Sequence, residues 1–410
     1  NLMTIQQDVP EHWMGDFEAL LPYELTAGQK KAAEDIRQDY QKDMPMHRLL
    51  QGDVGSGKTT VAAFGLYVTA CLNGQSAIMV PTEILAQQHF FTLSRLFASK
   101  GLRVALLTKG QSREERMHIQ KDAKEGRIHI LVGTQAMIQK EIEFKNLKFV
   151  VVDEQHKFGV FQRQFLKEKG KEAHLLIMTA TPIPRSLALT FYGDLDISLM
   201  QDAPSHRGKV ETLWVGEEQR EYIYDFLKKQ VLKGRQAYII LPMIDSSEQL
   251  KVKNAIQDEK DLRSRFPELS IALLHGKIKS QDKKSIMKDF KDKKIQILVS
   301  TSLIEVGIDV PNATFLLIEN AERFGLSQLH QMRGRIGRGK HDSTCVLFSD
   351  TDQELSQERL KAFVNTESGF EVAEEDLKLR GPGDFFGTRQ HGVPALRIGD
   401  LIRDASLLED

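Results

Sequence analysis

One eight-residue stretch constrains the fold of this chain more than any other. Residues 52–59, GDVGSGKT, match the phosphate-loop pattern G-x-x-x-x-G-K-[ST] in full. The stretch follows the apolar pair Leu49-Leu50 and precedes a helix-like segment at residues 61–72. A glycine-rich turn in this position lets successive backbone N–H groups and a helix N-terminus face a polyphosphate. We therefore predict an α/β domain with a phosphate site between a strand and a helix.

The residue types in this loop also predict individual roles. Lys58 can reach the β and γ phosphates, and the Thr59 hydroxyl can ligate Mg²⁺. A plain glycine-rich turn has no need of this Lys-Thr pair. A dinucleotide-binding motif G-x-G-x-x-G that starts at Gly55 is excluded as well, because it would require Gly or Ala where this chain has Thr60. The residues predicted to contact the nucleotide are Gly52, Gly55, Ser56, Gly57, Lys58, Thr59 and Thr60.

Short runs rich in β-branched residues alternate with amphipathic stretches along the chain, which predicts βαβ units and parallel sheets. One series lies at residues 76–80, 103–107, 128–132, 149–153 and 175–179, and a second at 236–241, 270–274, 295–300, 315–319 and 344–348. A polar linker with Pro204 and Gly208 separates them, and a glycine-rich appendage follows. The predicted domains are residues 1–203, 204–352 and 353–410, in keeping with a length of 410 residues.

The composition predicts a globular protein of a reducing compartment. Apolar residues make up 41% and charged residues 28% of the chain, and no apolar run approaches the ~20 residues of a membrane span. Cys71 and Cys345 are too isolated for a disulfide framework or a zinc site, and no signal peptide is present, so we expect a cytoplasmic protein. The net charge is −1, so any affinity for nucleic acid must come from local patches.

A second motif, FVVVDEQH at residues 149–156, is a buried-strand pattern that ends in two acids. An isolated Asp-Glu pair after a strand is usually a solvated strand end, but the phosphate loop favours a catalytic interpretation. We assign Asp153 to Mg²⁺ and Glu154 to polarising the attacking water. Gln155 and His156 are candidate contacts to the γ-phosphate or between lobes.

A third motif, QMRGRIGR at residues 331–338, places three arginines between glycines. Such arginines can stabilise the charge that develops at a γ-phosphate during hydrolysis. We predict this role for Arg335 and Arg338, with Gln331 as a nucleotide contact, whereas Arg333 fits equally well a contact to a phosphate backbone.

In this order, the motifs resemble those of superfamily 2 helicases over nearly the whole chain. The resemblance implies an α/β fold with two tandem RecA-like P-loop domains, and ATP with Mg²⁺ as ligands. The segment LTAGQ at residues 25–29 is similar to the adenine-reading Q motif, with Gln29 at the base, although Thr26 and Gln29 equally fit a helix capping box. Nucleic-acid or coupling roles are implied for Pro81, Thr82, Thr134, Gln135, Thr179, Thr181, His275, Gly276, Thr301 and Ser302.

The extended spellings DEQHKFGV (residues 153–160) and TATPIPR (residues 179–185) narrow the resemblance to the RecG family and the related transcription-repair coupling factors. Residues 376–392 are similar to the translocation hairpin of these proteins, in the sequence form found in RecG. The resemblance implies a role in translocation for Arg380, Arg389 and Gln390. His391 stands where the family usually has a small residue, and the wedge domain of RecG has no counterpart before Leu20, where the chain begins in a linker-like segment.

This resemblance implies an ATP-driven motor on duplex and branched DNA, such as stalled forks and Holliday junctions. It implies a monomer of the bacterial cytoplasm, associated with the nucleoid rather than a membrane, with a single-stranded DNA-binding protein as a candidate partner. Three alternatives stay open. The chain could act as a transcription-repair motor, as an RNA helicase, because the core motifs do not select the sugar, or as a regulatory nucleotide-binding module, against which the intact Lys58, Glu154, Arg335 and Arg338 argue.

Two weaker signals predict ordinary structure. The lysine-rich segment at residues 277–294 is interleaved with aspartates, which indicates a solvated amphipathic helix. His89, His118 and His174 lack the spacing of metal ligands, so we expect them at ordinary polar or core positions.

Overall fold

The computed structural model describes residues 7–134, 137, 142–153, 173–180, 195–200, 202, 208–242, 248–301 and 310–380. The described residues up to 202 form one compact unit, and those from 208 onward form another. Each unit is a parallel β-sheet with helices. The two-sheet α/β fold predicted from the sequence is therefore confirmed.

The first unit contains seven described strands, each paired in parallel, in the order β3-β4-β2-β5-β6-β1-β7. They are β1 (His47–Gly52), β2 (Gln75–Met79), β3 (Val104–Leu107), β4 (Ile130–Gly133), β5 (Leu147–Asp153), β6 (His174–Thr179) and β7 (Asp196–Met200). The described helices are α1 (His12–Glu18), α2 (Ala27–Tyr40), α3 (Lys58–Cys71), α4 (Glu83–Leu96) and α5 (Arg113–Lys124). Strands β2 and β6 are buried along their whole length, as expected for a sheet covered on both faces.

The second unit contains six described strands, also parallel, in the order β10-β11-β9-β12-β13-β8. They are β8 (Val210–Val215), β9 (Gln236–Ile240), β10 (Ile271–Leu274), β11 (Ile297–Ser300), β12 (Ala313–Ile318) and β13 (Ser343–Phe348). The described helices are α6 (Arg220–Leu232), α7 (Glu248–Arg265), α8 (Ser280–Lys291), α9 (Leu326–Arg333), α10 (Glu354–Asn365) and α11 (Gly369–Arg380).

Two strands escaped the sequence analysis, and both lie at the edge of a sheet. Strand β7 contains only two buried residues and β8 only one, Val215, so they lack the continuous buried runs of the central strands. A run-based prediction finds strands buried on both faces and misses half-covered edge strands.

The described helices after residue 352 pack into the apolar core of the second unit. Leu360 and Phe363 of α10 and Val372 of α11 are fully or almost fully buried in that core. The lysine-rich segment forms α8, which buries Met287 and Phe290 as an amphipathic helix should. None of the described helices is both long enough and apolar enough to span a membrane.

Candidate functional site

The candidate residues of the first unit converge on one edge of its sheet, where the parallel strands end. Strand pairing places Met79 of β2 beside Gly133 of β4 and Val152 of β5. It likewise places Asp153 beside Met178, and Thr179 beside Gln51 at the start of the phosphate loop. Along the edge, the order is therefore Thr134, Pro81 with Thr82, Asp153, Thr179 and the loop at residues 52–59. The carboxyl edge of such a sheet is where ligands of α/β proteins bind.

The backbone of the phosphate loop depends on glycine at two positions. Gly55 (φ 74°) and Gly57 (φ 88°) adopt left-handed conformations that other residues rarely reach. A Cβ atom added to Gly57 would also lie 2.2 Å from Nε2 of Gln29. A side chain at Gly57 would thus both strain the backbone and displace Gln29.

Lys58 is the first residue of α3, and its side chain folds back over the loop. Its ammonium group donates hydrogen bonds to the carbonyl oxygens of Gly52 and Asp53, both at 2.8 Å. The side chain is buried, so the positive charge is held inside the loop at the positive end of the helix dipole. Both features favour a polyanion at this position.

Gln29 links the N-terminus of α2 to the phosphate loop. Its Oε1 accepts a hydrogen bond from the backbone N–H of Thr26 (3.0 Å), and its backbone N–H donates to Thr26 Oγ1 (3.3 Å), which completes a capping box. Its Nε2 donates to the carbonyl oxygen of Ser56 (2.8 Å). The capping-box interpretation is confirmed, and the amide also supports the loop, a contact that the sequence did not predict.

Tyr23 is a further residue that the sequence analysis missed. Its hydroxyl shares a hydrogen bond of 2.9 Å with Oγ1 of Thr60, so it borders the phosphate loop. Its side chain is about half exposed.

Asp153, the predicted Mg²⁺ ligand, ends β5 with its carboxylate largely buried. The Nε2 atom of His89 lies 3.2 Å from its Oδ2, and His89 is buried. Asp153 and Thr59 offer hard oxygen donors at the same sheet edge, and such a sparse set suits Mg²⁺, which retains several waters. Among the described residues, no group of three or more His, Cys, Asp or Glu side chains could hold a metal ion. The sequence analysis expected His89 at an ordinary polar or core position and did not predict its contact with Asp153.

Several predicted residues cannot be placed. Glu154, Gln155, His156, Gln135, Thr181, Ser302, Arg389, Gln390 and His391 lie outside the described residues. Arg380 ends α11, but its side chain is likewise outside the description.

In the second unit, two predicted nucleic-acid motifs meet at the carboxyl edge of the sheet. Leu274 of β10 pairs with Ser300 of β11, and the backbone N–H of Thr301 donates to the carbonyl oxygen of Leu274 at 3.4 Å. His275 with Gly276 and Thr301 are therefore neighbours. Burial, assisted by Lys283 and Lys277, lowers the pKa of His275, which favours its neutral form.

The arginine motif divides into two parts. Gln331, Arg335 and Arg338 are partly exposed, and Arg338 Nε donates to the carbonyl oxygen of Gly334 at 3.0 Å. Arg333, by contrast, is buried. Its guanidinium donates to the carbonyl oxygens of Phe363 (3.2 Å), Thr366 (2.7 Å) and Glu367 (3.0 Å).

The guanidinium of Arg333 also lies 4.3 Å from the centroid of the Phe363 ring. These contacts attach the end of α10 to α9, where the cation meets the helix C-terminus. The sequence suggested that Arg333 contacts either the γ-phosphate or a phosphate backbone, and both roles require an exposed guanidinium. In the structure this guanidinium is buried and binds carbonyl oxygens at the end of α10.

Comparison with known proteins matches three family models to this chain. The DEAD/DEAH box helicase model matches residues 26–190, and the helicase conserved C-terminal domain model matches residues 218–340. The model for the C-terminal part of domain 3 of the ATP-dependent DNA helicase RecG matches residues 366–410.

Curated relatives named ATP-dependent DNA helicase RecG align over nearly the whole chain. The Bacillus subtilis protein is 47% identical over 95% of this chain and 57% of its own length. The Streptococcus pneumoniae protein is 46% identical over 95% of this chain and 58% of its own length, and the Thermotoga maritima protein is 45% identical over 96% and 51%.

A solved structure of RecG bound to a three-way DNA junction superposes with a TM-score of 0.82 at 41% identity, covering 99% of this chain and 53% of that one. The fold alone is also shared with the yeast protein Dbp5 bound to RNA, with a TM-score of 0.62 at 15% identity, covering 91% of this chain and 92% of that one.

The fold, the phosphate loop and the two helicase-domain matches define a superfamily 2 helicase core. More narrowly, the chain is homologous to the RecG helicases over nearly its whole length, and it belongs to the RecG family. It spans between 51% and 58% of the length of the curated relatives described above.

Proposed function

We propose that this chain hydrolyses ATP and couples hydrolysis to translocation on duplex DNA, with branched DNA as its substrate. The phosphate loop carries this proposal, because two left-handed glycines and a buried Lys58 at a helix N-terminus form a site for a polyphosphate. The choice of branched DNA is supported by the 41% identical RecG structure bound to a three-way junction.

Specific roles follow for the residues of the nucleotide site. Lys58 holds the β and γ phosphates, and Thr59 with Asp153 would hold Mg²⁺, which neutralises phosphate charge when bound. Glu154 polarises the attacking water, while Arg335 and Arg338 stabilise the charge developing at the γ-phosphate. Gln331 contacts the nucleotide, and Gln29 supports the loop through Ser56.

The row of motifs along the first sheet edge suggests how nucleotide and DNA communicate. Thr134, Pro81 and Thr82 lie on one side of Asp153, whereas Thr179 lies between Asp153 and the phosphate loop. We assign the first group to DNA and Thr179, with Thr181, to relaying the state of the γ-phosphate. In the second unit, His275, Gly276, Thr301 and Ser302 serve DNA, and Arg380, Arg389 and Gln390 serve translocation.

The domain boundaries and the cellular setting are part of the same proposal. We divide the chain into residues 1–203, 204–352 and 353–410, as an ATP-binding domain, a C-terminal helicase domain and a translocation-hairpin segment. The protein acts as a monomer in the bacterial cytoplasm, close to the nucleoid, and a single-stranded DNA-binding protein is its candidate partner.

ATP turnover in the presence of different nucleic acids tests the proposed activity. The chain is assayed without nucleic acid, with linear duplex, with a three-way junction and with RNA, and Lys58→Ala serves as the blank. We expect Lys58-dependent turnover that rises most with the junction and least with RNA. Turnover that is indifferent to every nucleic acid would exclude a DNA-coupled motor in this chain.

The role of Glu154 is tested separately from nucleotide binding. Glu154→Gln keeps the size of the side chain but removes the carboxylate that polarises water. We expect nucleotide affinity close to that of the unmodified chain, with turnover nearly abolished. Turnover at the level of the unmodified chain would refute the assignment.

A further inference from the structure

The imidazole of His89 is directed at the carboxylate assigned to Mg²⁺. Within α4, the buried residues Ala86, His89 and Leu93 follow helical spacing, so His89 lies on the inward stripe between two apolar residues. Its Nε2 is 3.2 Å from Oδ2 of Asp153. The contact is possible because α4 follows β2, and β2 lies beside β5 in the sheet.

The geometry fits a hydrogen bond that orients the carboxylate. An Nε2–H group of His89 that donates to Oδ2 leaves Oδ1 of Asp153 for a cation. Carboxylates that ligate metals are commonly held by such outer contacts, and loss of the contact typically costs ~10–100-fold in metal affinity or activity. Both side chains are largely buried, at 9% exposure for His89 and 15% for Asp153, so water competes little for the bond.

The same helix begins at a residue assigned to DNA. Thr82 is the N-cap of α4, and its Oγ1 accepts a hydrogen bond from the backbone N–H of Leu85 at 3.3 Å. His89 lies two turns further along this helix. A displacement of Thr82 on contact with DNA would therefore move the imidazole that touches Asp153.

We propose that His89 is a positioning residue that fixes Asp153 for Mg²⁺, and that α4 thereby links the DNA-facing edge of the sheet to the metal site. The inference rests on the proposed function, because it takes Asp153 as a Mg²⁺ ligand and Thr82 as a DNA contact. It adds a residue outside the motifs of the sequence analysis and a physical route between the two ligands.

Two substitutions of similar size separate the hydrogen bond from simple packing. His89→Gln retains an N–H donor that can reach Asp153, whereas His89→Leu fills the space without one. Binding of a fluorescent ATP analogue to the full chain is measured against Mg²⁺ concentration and again in EDTA. For His89→Leu we expect half-saturation at ~10–100-fold higher Mg²⁺, for His89→Gln a value within a few-fold of the unmodified chain, and for all three equal binding in EDTA.

Controls on the same helix and in the same assay make the result specific. Phe91→Ala changes the exposed face of α4, where Phe91 is 67% exposed, and should leave the Mg²⁺ dependence unchanged. An unchanged Mg²⁺ dependence in His89→Leu, or an equal loss of binding in EDTA, would overturn the inference. If His89→Leu does not fold, His89→Asn replaces it, because asparagine is too short to reach Asp153.

The link to DNA is tested with turnover at saturating Mg²⁺. For His89→Leu we expect the ratio of turnover with duplex to turnover without duplex to fall toward one, while His89→Gln retains most of the stimulation. The same stimulation ratio in His89→Leu as in the unmodified chain would refute the link. Absence of Mg²⁺-dependent nucleotide binding in the unmodified chain would instead overturn the proposed function, so the two failures are distinguishable.

Discussion

The two sheets share one strand order, but only one of them builds a phosphate loop. If β8 to β13 are matched in turn with β1 to β6, the order β10-β11-β9-β12-β13-β8 repeats β3-β4-β2-β5-β6-β1, and β7 is an addition to the first sheet. In this match β8 and α6 correspond to β1 and α3. The connection after β8 therefore occupies the place of the phosphate loop.

The chemistry at the two corresponding places is related but has different consequences. In the first unit, Lys58 starts the helix and Asp153 ends β5, whereas in the second unit Arg220 starts the helix and Glu319 follows β12. Arg220 donates to both carboxylate oxygens of Glu319, at 2.7 and 3.0 Å.

The guanidinium of Arg220 also lies 4.3 Å from the centroid of the Phe348 ring. The fold thus places a cation and a carboxylate at both edges, but in the second unit they bond to each other. A phosphate site additionally requires a glycine-rich loop, whose conformation lets successive backbone N–H groups form a concave site for an anion.

Among the substitutions that compare the two units, we expect the largest difference in nucleotide affinity between Gly57→Ala and Gly234→Ala, two glycines with positive φ. Gly57→Ala forces φ 88° on alanine and brings its Cβ within 2.2 Å of Gln29 Nε2, so we expect nucleotide affinity to fall by at least ~100-fold, the equivalent of ~3 kcal/mol. Gly234→Ala in the second unit has φ 83° but no atom within 4 Å of the added Cβ. It should cost ~1–2 kcal/mol of stability and leave nucleotide affinity unchanged. Equal effects of both variants on affinity would show that backbone strain alone matters.

We expect acid to lower the stability of the first unit through a buried histidine in β6. The matching strand of the second unit, β13, contains no histidine. In β6, burial lowers the pKa of His174 to about 4 from its usual 6.5, and the ring stacks on Tyr40 with centroids 4.0 Å apart. Between pH 6.5 and 4 the unfolded chain binds a proton that the folded chain excludes, so stability falls as the pH falls through this window. The loss approaches ~3 kcal/mol by pH 4. At the matching strand β13, Cys345 is buried instead, and burial raises its pKa to about 12.

The two tryptophans allow this difference to be measured unit by unit. Trp13 lies in the first unit and Trp214 in the second, where its Nε1 donates to the carbonyl oxygen of Ser349 at 3.0 Å. Urea unfolding is followed from pH 8 to pH 5 through Trp13 in a Trp214→Phe background. His174→Asn, whose Oδ1 can take the place of Nδ1 and accept the hydrogen bond from the backbone N–H of Met46, should flatten the pH dependence. A slope that survives this substitution would assign the acid sensitivity to other groups.

Breaking the Arg220 pair should weaken the second unit without touching nucleotide binding. Arg220→Met leaves the carboxylate of Glu319, 13% exposed, without its main partner, and we expect a loss of ~1–3 kcal/mol in the unfolding followed by Trp214 in a Trp13→Phe background. The double variant Arg220→Met with Glu319→Leu should recover most of the loss, because an apolar pair can replace a buried ion pair. Loss of nucleotide binding in a folded Arg220→Met variant would show that the second edge is part of the nucleotide site.

The sequence predicted the parts of this molecule that depend on local patterns. The phosphate loop, the central strands and the two-sheet architecture follow from spacing and apolar runs, which act over a few residues. The contacts of Gln29 with Ser56, of His89 with Asp153 and of Arg333 with the end of α10 join residues that are far apart in the chain. Such contacts depend on which strands become neighbours, so a pattern read along one segment cannot supply them.

Arg333 illustrates this limit most clearly. Its motif neighbours Arg335 and Arg338 share its charge and its glycine-rich surroundings, yet only Arg333 lies on the buried face at the end of α9. The helix phase decides which arginine turns inward, and α9 ends within the motif, where boundaries predicted from sequence are least certain.

The smallest predicted effects concern Gln29, which both caps α2 and supports the phosphate loop through Ser56. Thr26→Ala removes one half of the capping box and should cost ~1 kcal/mol of stability, with nucleotide affinity nearly unchanged. Gln29→Ala also removes the bond to Ser56, so we expect nucleotide affinity to fall about tenfold, the equivalent of one hydrogen bond worth ~1.4 kcal/mol. In the second unit, Gln328 accepts from the backbone N–H of Gly325 at 3.0 Å, and Gln328→Ala is the matched cap without a phosphate loop.

Isothermal titration with nucleotide and thermal melting of the same samples decide between these outcomes. We expect Gln328→Ala and Thr26→Ala to shift only the melting curve. Each substitution removes a capping hydrogen bond but leaves the bond between Gln29 and Ser56 in place. If Thr26→Ala and Gln29→Ala lower nucleotide affinity equally, helix capping accounts for the whole effect and the bond to Ser56 contributes nothing. If Gln29→Ala alone lowers it, the amide acts on the loop through its bond to Ser56.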